Sequence, residues 1–242
     1  MSNSLPLANK VAVITGAGRG IGRGIALRFA REGAHVIALA RTVGGLEELD
    51  DAIVEAGGSA TLVPLDITDY DALDRLGASI DERWGKLDIF IANAGILGGL
   101  SPIGHYEPKT FENVIAANLT ANWRLIRSLD PLLKASDAGR ALLVSSGAAR
   151  TFKPFWGAYS ISKAGLEALG GTWAAESAST NLKVNMVSPG PTRTGMRAQA
   201  MPGEKPETLP HPSEVAETFL KLVLPENTVN GGLYGHTSRG WL

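Results

Sequence analysis

The amino-acid sequence predicts an α/β protein with a doubly wound parallel sheet of about seven strands and helices on both faces. Apolar runs rich in β-branched residues alternate with segments of helical spacing along the 242 residues. This alternation implies right-handed crossovers, which place helices on both faces of a parallel sheet. With 44% hydrophobic and 19% charged residues, the chain can also build a substantial core. Neither a linker nor a repeat interrupts the pattern, so we expect one domain over residues 1–242.

The first half of the chain predicts four strands and three helices. The run KVAVITG, residues 10–16, has the composition of a buried strand, and the helical spacing that follows it stops at Gly33. His35 comes at the start of the second apolar run. The further strands are predicted at 34–40, 60–66 and 86–95, and the further helices at 46–54 and 71–85.

The second half continues the alternation and contains one irregular segment. Helices are predicted at 111–129, 158–177 and 213–223, and strands at 140–146, 182–190 and, as a short last strand, 231–236. The irregular segment runs from Gly190 to Ser213 and holds five prolines. A long loop in a compact domain is usually functional or disordered, and this one follows a strand end, where ligands bind in such sheets. We expect residues 191–213 to form a lid over the substrate, with disorder as the alternative.

Composition excludes several classes of function. A net charge of −1 does not favour nucleic acid or an anionic membrane as a partner. The absence of cysteine excludes disulfides and thiolate metal sites, and the four histidines lack metal-ligand spacing, so no metal is expected. The start, MSNSLPLANK, does not resemble a signal peptide, and no apolar run approaches the length of a membrane span. We therefore expect a cytoplasmic protein.

A glycine-rich turn is predicted between the first strand and the first helix. The stretch VITGAGRGIG places Gly16, Gly18, Gly20 and Gly22 there. Glycines let the backbone turn sharply and approach a pyrophosphate, while the helix N-terminus supplies free N–H groups. A flexible turn is the alternative. The strand before it and the helix after it favour the dinucleotide site of a Rossmann fold.

The stretch FWGAYSISKAGLEAL, 155–169, places a phenol and an ammonium one helical turn apart. Tyr159 and Lys163 share a helix face because residues four apart are neighbours. A cation beside a phenol favours the phenolate, so we expect Lys163 to lower the pKa of Tyr159. A surface tyrosine beside a solvated lysine is the alternative. A lowered phenol pKa is useful where a proton must move.

These motifs occur with others in an order that resembles the short-chain dehydrogenase/reductase family, in its single-domain type. The resemblance extends from about Lys10 to the short last strand. Ser146 precedes Tyr159 by thirteen residues, a spacing common in this family. The other matching stretches are Thr15-Gly16-x-x-x-Gly20-Ile21-Gly22, the NAG of 93–95, Asn118 in the long helix and the PGPTRT of 189–194.

The resemblance implies an NAD(P)-dependent enzyme that interconverts a carbonyl and a secondary alcohol of a small molecule. Tyr159 would be the general acid or base, Lys163 would stabilise the phenolate and bind the nicotinamide ribose, and Ser146 would hold the substrate oxygen. Asn118 would hold a water that connects the lysine to solvent. Cofactor contacts are expected from Gly16, Gly18, Arg19, Gly20, Ile21, Gly22, Arg41, Asp66, Ile67, Asn93, Ala94, Gly95, Tyr159, Lys163, Pro189, Gly190, Thr192 and Thr194.

The family also commonly assembles through two long helices of each subunit. Here those helices would include 113–129 and 158–175, which are apolar over much of their surface, as a buried bundle requires. The resemblance therefore implies a homodimer or a homotetramer.

The end of the second predicted strand indicates the cofactor. An acidic residue there binds the ribose hydroxyls and selects NAD, whereas this chain has Ala40, followed by Arg41. Arg19 lies in the glycine turn that faces the same ribose, and guanidinium groups bind phosphate with paired hydrogen bonds. With no acid expected nearby, the sequence favours NADP(H) over NAD(H). The alternative is that Arg41 points to solvent.

Three other functions are compatible with parts of this pattern. A 3-oxoacyl thioester reductase is one specific form of the expected activity. A dinucleotide-sensing protein without turnover would not need the Ser146–Tyr159–Lys163 set. An epimerase or dehydratase of nucleotide-sugars usually carries a larger C-terminal substrate domain. The substrate itself is not identified by any motif.

Overall fold

The computed structural model describes residues 5–242, which contain one sheet of eight strands. The strands are β1 Val11–Thr15, β2 His35–Ala40, β3 Ser59–Pro64, β4 Ile89–Ala92, β5 Arg140–Val144, β6 Lys183–Ser188, β7 Leu233–Gly235 and β8 Gly240–Trp241. Their order across the sheet is β3-β2-β1-β4-β5-β6-β7-β8. All neighbours are parallel except β7 and β8. The predicted doubly wound Rossmann sheet is therefore confirmed.

The eighth strand was not predicted. It has two residues, too few for any periodicity, and it reverses direction after a turn in which Arg239 has a φ of 52°. The rings of Tyr234 and Trp241 meet edge to face across this antiparallel pair, with centroids 5.4 Å apart. An aromatic cross-strand pair stabilises such a short strand.

The six predicted helices are present, and within residues 5–242 there are two short helices, at 148–151 and 195–200, that were not predicted. The helices are α1 Gly20–Arg31, α2 Val43–Glu55, α3 Tyr70–Trp84, α4 Pro108–Ile115, α5 Ala121–Lys134, α6 Ala148–Thr151, α7 Gly157–Glu176, α8 Gly195–Ala200 and α9 Pro212–Val223. The single long helix predicted at 111–129 is longer, and a π-helical stretch, Ala116–Thr120, divides it. None of the helices among residues 5–242 is long and apolar enough to cross a membrane.

Two apolar layers enclose the sheet. Alternate residues of one strand serve opposite layers: Ile14 packs with Phe29 and Phe219 under α1, α2 and α9, whereas Val13 packs with Phe90 under α3, α5 and α7. Burying a side chain of this size contributes about 1.5–3 kcal/mol. Helices therefore cover both faces of the sheet. The strand order reverses between β1 and β4, so a crevice forms at the carboxyl ends of these two strands. Sheets of this kind bind their ligands in that crevice.

The segment of residues 191–213 is more regular than predicted. It contains α8 and a 3-10 turn, Pro206–Thr208, and Thr194 caps α8 by accepting a hydrogen bond from the Arg197 amide at 3.2 Å. The Arg197 guanidinium donates to both carboxylate oxygens of Glu204, at 2.5 and 2.6 Å. Local hydrogen bonds thus fold the segment onto itself, which a proline-rich sequence does not reveal.

Candidate active site

The glycine turn after β1 has a geometry that only glycine tolerates. Gly16 and Gly20 have φ angles of 67° and 58°, in the left-handed region. A β-carbon on Gly22 would collide with the Gly16 carbonyl oxygen and lie 2.5 Å from Asn93 Nδ2. Arg19 precedes α1 without a side-chain cap, so the first amides of the helix remain available to a ligand.

Hydrogen bonds fasten this turn to the residues that follow β4. The Thr15 hydroxyl accepts from the amides of Asn93 and Ala94 at 3.0 and 2.9 Å, and it donates to the Ile91 carbonyl at 3.3 Å. Asn93 Nδ2 donates to the Thr15 carbonyl at 2.8 Å. The sequence motif included Thr15 but indicated no role for it. The structure shows that it joins the two strand ends on either side of the crevice.

At the far end of the crevice, Arg41 lies near an acid. Its Nη1 is 3.7 Å from Asp66 Oδ2, and the other oxygen of Asp66 accepts from the Thr68 amide and hydroxyl at 2.9 and 2.8 Å. Burial raises the pKa of Asp66, but the Thr68 hydrogen bonds and the Arg41 charge outweigh it and bring this pKa below its usual value. The expectation that no acid stands near Arg41 is therefore wrong, because β3 ends beside β2.

Tyr159 and Lys163 are buried side by side on α7. The Lys163 Nζ donates to the Val144 carbonyl at 2.7 Å and lies 5.8 Å from the centre of the Tyr159 ring. Burial raises the pKa of Tyr159, and a hydrogen-bonding interaction with the Ser146 hydroxyl offsets part of that rise. The expectation that Lys163 lowers the phenol pKa is wrong in this structure, because desolvation dominates. Burial also lowers the pKa of Lys163, to about 8, against a smaller opposing effect of Glu167.

Asn118 connects the segment after β4 to α7. Its side chain accepts from the Ile96 amide at 2.8 Å and donates to the Ile96 carbonyl at 2.9 Å and to the Ser162 hydroxyl at 3.0 Å. Ser162 in turn donates to the Tyr159 carbonyl at 2.8 Å. Asn118 lies in the π-helical stretch, where its own carbonyl accepts from Asn122 Nδ2 at 2.8 Å. The side chain thus fixes α7 relative to the crevice.

One cleft of about 1890 Å³ brings most of the predicted site residues together. Its wall includes Gly16, Gly18, Arg19, Gly20, Ile21, Arg41, Asp66, Ile67, Asn93, Ala94, Gly95, Ser146, Tyr159, Lys163, Pro189, Gly190, Thr192 and Thr194. Two predicted residues are not in the wall. Gly22 lies behind Gly16, and Asn118 lies behind the residues that it binds.

Apart from Trp156, which precedes Tyr159 closely in the sequence and was a candidate for the pocket wall, sequence reasoning missed an apolar group around Tyr159. Leu97 and Ala200 are buried against the phenol ring, and Ala148, Trp156, Met196 and Met201 pack against them. These residues come from three separate segments, so no short motif could have indicated their proximity.

A doubly wound sheet with a glycine turn after β1 and a Tyr-x-x-x-Lys helix beside the same cleft defines the class of oxidoreductases that bind nicotinamide dinucleotides. The sequence model described as short chain dehydrogenase matches residues 10–205. The chain belongs to this family of short-chain dehydrogenases.

Individual members of the family are similar over most of the chain. The oxidoreductase YciK of Escherichia coli K12 is 34% identical over 220 residues, covering 90% of this chain and 87% of its own. An NAD-dependent oxidoreductase of Mycobacterium tuberculosis is 38% identical over 197 residues, covering 76% and 71%. A crystal structure of a short-chain dehydrogenase from Shigella flexneri 2a, complexed with NADP, has a TM-score of 0.93 at 33% identity and covers 97% of this chain and 100% of that chain.

Proposed function

We propose that this protein is an NADP(H)-dependent oxidoreductase that interconverts a carbonyl and a secondary alcohol, with Tyr159 as the general acid or base. The observation that carries the proposal is the buried Tyr159 phenol beside Ser146 and Lys163 in one cleft. When bound, the nicotinamide cofactor supplies or accepts the hydride. Each other step is assigned to the side chains of this chain.

The residues of the crevice fit a dinucleotide. The cleft is large enough for a cofactor and a substrate together, and its glycine turn leaves space that a β-carbon would fill. The uncapped first turn of α1 suits a pyrophosphate, since free N–H groups and the positive end of the helix dipole point there. The remaining contacts are assigned to residues 93–95 and 189–194, which line the same cleft.

The proton chemistry follows from burial. Because burial raises its pKa, Tyr159 stays protonated at neutral pH and can donate its proton to a carbonyl oxygen during reduction. Ser146 holds that oxygen against the phenol. The Lys163 ammonium compensates the phenolate that remains, and its charge is worth more in a buried site than in water. In the oxidation direction the same groups act in reverse.

The preference for NADP(H) is assigned to Arg41 and Arg19. Both line the cleft beside Ala40, which offers no carboxylate to repel a 2′-phosphate. Asp66 competes for Arg41, but both side chains are about half exposed at a separation of 3.7 Å, and such pairs are worth about 0–1 kcal/mol. A charge-assisted contact to phosphate is worth about 1.5–3 kcal/mol, so the phosphate should prevail. Among the relatives, one is NAD-dependent and one was crystallised with NADP.

The predictions of a lid, of an oligomer and of a cytoplasmic location belong to the same proposal. The proposed lid, residues 191–213, places α8 over Tyr159. Trp123 on α5 and Ile161 on α7 are exposed at 45% and 46%, as the proposed contact between long helices would require.

A 3-oxoacyl thioester reductase is a narrower form of the proposed carbonyl reduction. A sensor without turnover is the alternative outcome of the test.

The test is NADPH oxidation measured against a panel of ketones, aldehydes and acyl thioesters, with NADPH binding measured separately by fluorescence. Turnover of at least one carbonyl compound, faster with NADPH than with NADH, is expected. Tight NADPH binding without turnover on any member of the panel would favour the sensor. Equal efficiency with NADH would contradict the assignment of Arg41 and Arg19.

A further inference from the structure

Apolar side chains from three segments touch Tyr159. Leu97, Tyr159 and Ala200 are exposed at 4%, 8% and 6%, and together they form a small apolar cluster apart from the main core. The indole of Trp156 meets the phenol edge to face, with ring centroids 5.9 Å apart. Away from Ser146 and Lys163, the phenol that donates the proton thus packs against hydrocarbon and thioether groups.

The two arginines of the α8 segment that line this cleft already have partners, whereas Lys153, on the segment before α7, is exposed at its wall. Arg197, next to Met196, is paired with both oxygens of Glu204. Arg193 donates to the carbonyls of Pro206 and Leu209, at 2.8 and 3.5 Å. These guanidinium groups stabilise the fold of residues 191–213 and are not free to bind hydroxyl groups of a substrate.

We propose, on the basis of the proposed function, that the substrate is an apolar carbonyl compound whose carbonyl is flanked by hydrocarbon rather than by hydroxyl groups. A hydroxyl placed against Leu97, Ala200 or Met201 would lose its water without gaining a partner, which weakens binding about 5–150-fold. We call the part of the cleft lined by Leu97, Trp156, Met196, Ala200 and Met201 the apolar chamber. Methionine side chains are flexible and polarisable, so this chamber accepts hydrocarbon skeletons of different shape.

Matched substrates test this inference. The kcat/KM with NADPH should rise about fourfold per added methylene along 2-pentanone, 2-heptanone and 2-nonanone until the chamber is full, as burial of each methylene predicts. Cyclohexanone should be reduced at least tenfold more efficiently than a polyhydroxylated cyclohexanone. A flat methylene series, or a preference for the polyhydroxylated ketone, would overturn the inference and leave the proposed function standing. Absence of turnover on every carbonyl compound, with NADPH still bound, would instead remove the proposed function and this inference with it.

A matched pair of variants assigns the effect to the chamber. Met201→Gln keeps the length of the side chain but makes it polar, whereas Met201→Leu keeps it apolar. The preference for 2-nonanone over 2-pentanone should fall severalfold in Met201→Gln and persist in Met201→Leu. Equal preferences in the two variants would show that Met201 does not contact the substrate.

Glu167 is a largely buried acid at the back of the candidate site. It lies on α7, one turn beyond Lys163, with 17% of its side chain exposed. Its carboxylate accepts from the Ser145 hydroxyl at 2.5 Å and lies 3.8 Å from Arg150 Nε. Ser145 directly precedes Ser146. The carboxylate therefore joins the end of β5, α6 and α7 at the back of the candidate site.

Few titratable groups face the Lys163 ammonium. On α7 they are the neutral Tyr159 phenol and the Glu167 carboxylate, and α6 contributes Arg150 through its pair with Glu167. The other elements offer neutral groups: the Val144 carbonyl accepts from Nζ, and the backbone at Gly95 packs nearby. Within residues 5–242, Glu167 is the acid whose charge acts on this ammonium.

We infer that Glu167 is a positioning residue for the proposed reaction. Its charge holds Lys163 in the ammonium form, and its hydrogen bond from Ser145 fixes the strand end that carries Ser146. Such a group changes the pH range over which the enzyme works, which a purely structural residue does not.

The test is the pH dependence of kcat/KM for carbonyl reduction in Glu167→Gln. This variant keeps the shape and the acceptor for Ser145 but removes the charge, so Lys163 should lose its proton at lower pH. The expected loss is about 3–10-fold at pH ~8 and less than about twofold at pH ~6.5. Glu167→Asp, which restores the charge, should recover the wild-type profile.

The control is Glu176→Gln, an exposed position near the end of the same helix, which should leave the profile unchanged. Superimposable profiles of wild type and Glu167→Gln would overturn the inference. Should Glu167→Gln fail to fold, Glu167→Met removes the same charge with a different side chain and is judged by the same profile. If no variant and no wild type turns over any carbonyl, the proposed function fails first, and the two failures are thereby distinguished.

Discussion

The two halves of the cleft are built in different ways. The proposed cofactor half consists of backbone and short polar side chains: the glycine turn, the Thr15 hydroxyl that joins the ends of β1 and β4, and the stretch that follows β4. The proposed substrate half includes the apolar side chains that pack around Tyr159, from three segments that meet only in the folded protein. A ligand shared by a whole family can be bound by a fixed backbone, whereas a particular substrate requires side chains that vary independently. The comparison explains why the cofactor class follows from the sequence and the substrate does not.

The largest expected effect is a loss of turnover on substitution of Tyr159, which lies where the two halves of the cleft meet. Tyr159→Phe keeps the buried ring and deletes the hydroxyl, and turnover should fall about 10²–10⁴-fold, the usual contribution of a positioned acid. NADPH affinity should change little, because the cofactor half is fixed by other residues. Steady-state kinetics and NADPH fluorescence titration measure the two effects.

The matched control is Tyr70→Phe, since Tyr70 lies at the start of α3, outside the cleft wall, and makes no hydrogen bond through its hydroxyl within residues 5–242. It should retain full activity. Near-normal turnover of a folded Tyr159→Phe variant would remove Tyr159 from the mechanism.

The sequence predicted the sheet and the glycine turn because each is encoded locally. A buried strand, a helix stop and the left-handed glycines at 16 and 20 depend on neighbours in the chain. It failed where two distant segments meet. The Asp66 carboxylate reaches Arg41 only because β3 pairs with β2, and the pKa of Tyr159 depends on burial by Leu97 and the α8 segment. Four-residue spacing shows that a lysine is near a phenol, but not how much water either retains.

The next effect concerns the Thr15 hydroxyl, which joins the two strand ends of the cofactor half. Thr15→Val keeps the β-branched shape but removes the hydroxyl, so the amides of Asn93 and Ala94 lose their shared acceptor beside the crevice. The Asn93 amide keeps the Ile91 carbonyl as an acceptor at 3.1 Å, so the Ala94 amide is the donor left without a partner. The free energy of unfolding should fall by about 1–3 kcal/mol, the cost of one unsatisfied donor. Chemical denaturation measures it, and NADPH should bind more weakly because the two strand ends separate.

Thr172→Val is the control, since Thr172 is an exposed residue of α7 whose hydroxyl has no partner within the part of the chain that the structure describes. It should stay within about 0.5 kcal/mol of wild type. If the Thr15→Val protein is as stable as this control, water replaces the hydrogen bonds of the Thr15 hydroxyl without a loss of stability.

The smallest effects concern Arg41 and Asp66, at the edge of the cofactor half. There we expect side chains rather than backbone to select NADPH over NADH. Arg41→Ala should raise the Michaelis constant for NADPH about 10–150-fold, the equivalent of one charge-assisted contact of about 1.5–3 kcal/mol. The Michaelis constant for NADH should stay nearly unchanged.

Asp66→Asn tests the acid that competes with the phosphate for Arg41. It frees Arg41 from a pair worth at most about 1 kcal/mol, so the preference for NADPH over NADH should rise by no more than about fivefold. Arg75→Ala, an exposed arginine of α3 outside this cleft, should change neither constant. If NADH serves the unmodified enzyme as well as NADPH, or if Arg41→Ala weakens both cofactors equally, then Arg41 contributes general positive charge rather than phosphate recognition. In that case Arg41 strengthens binding of both cofactors and does not distinguish between them.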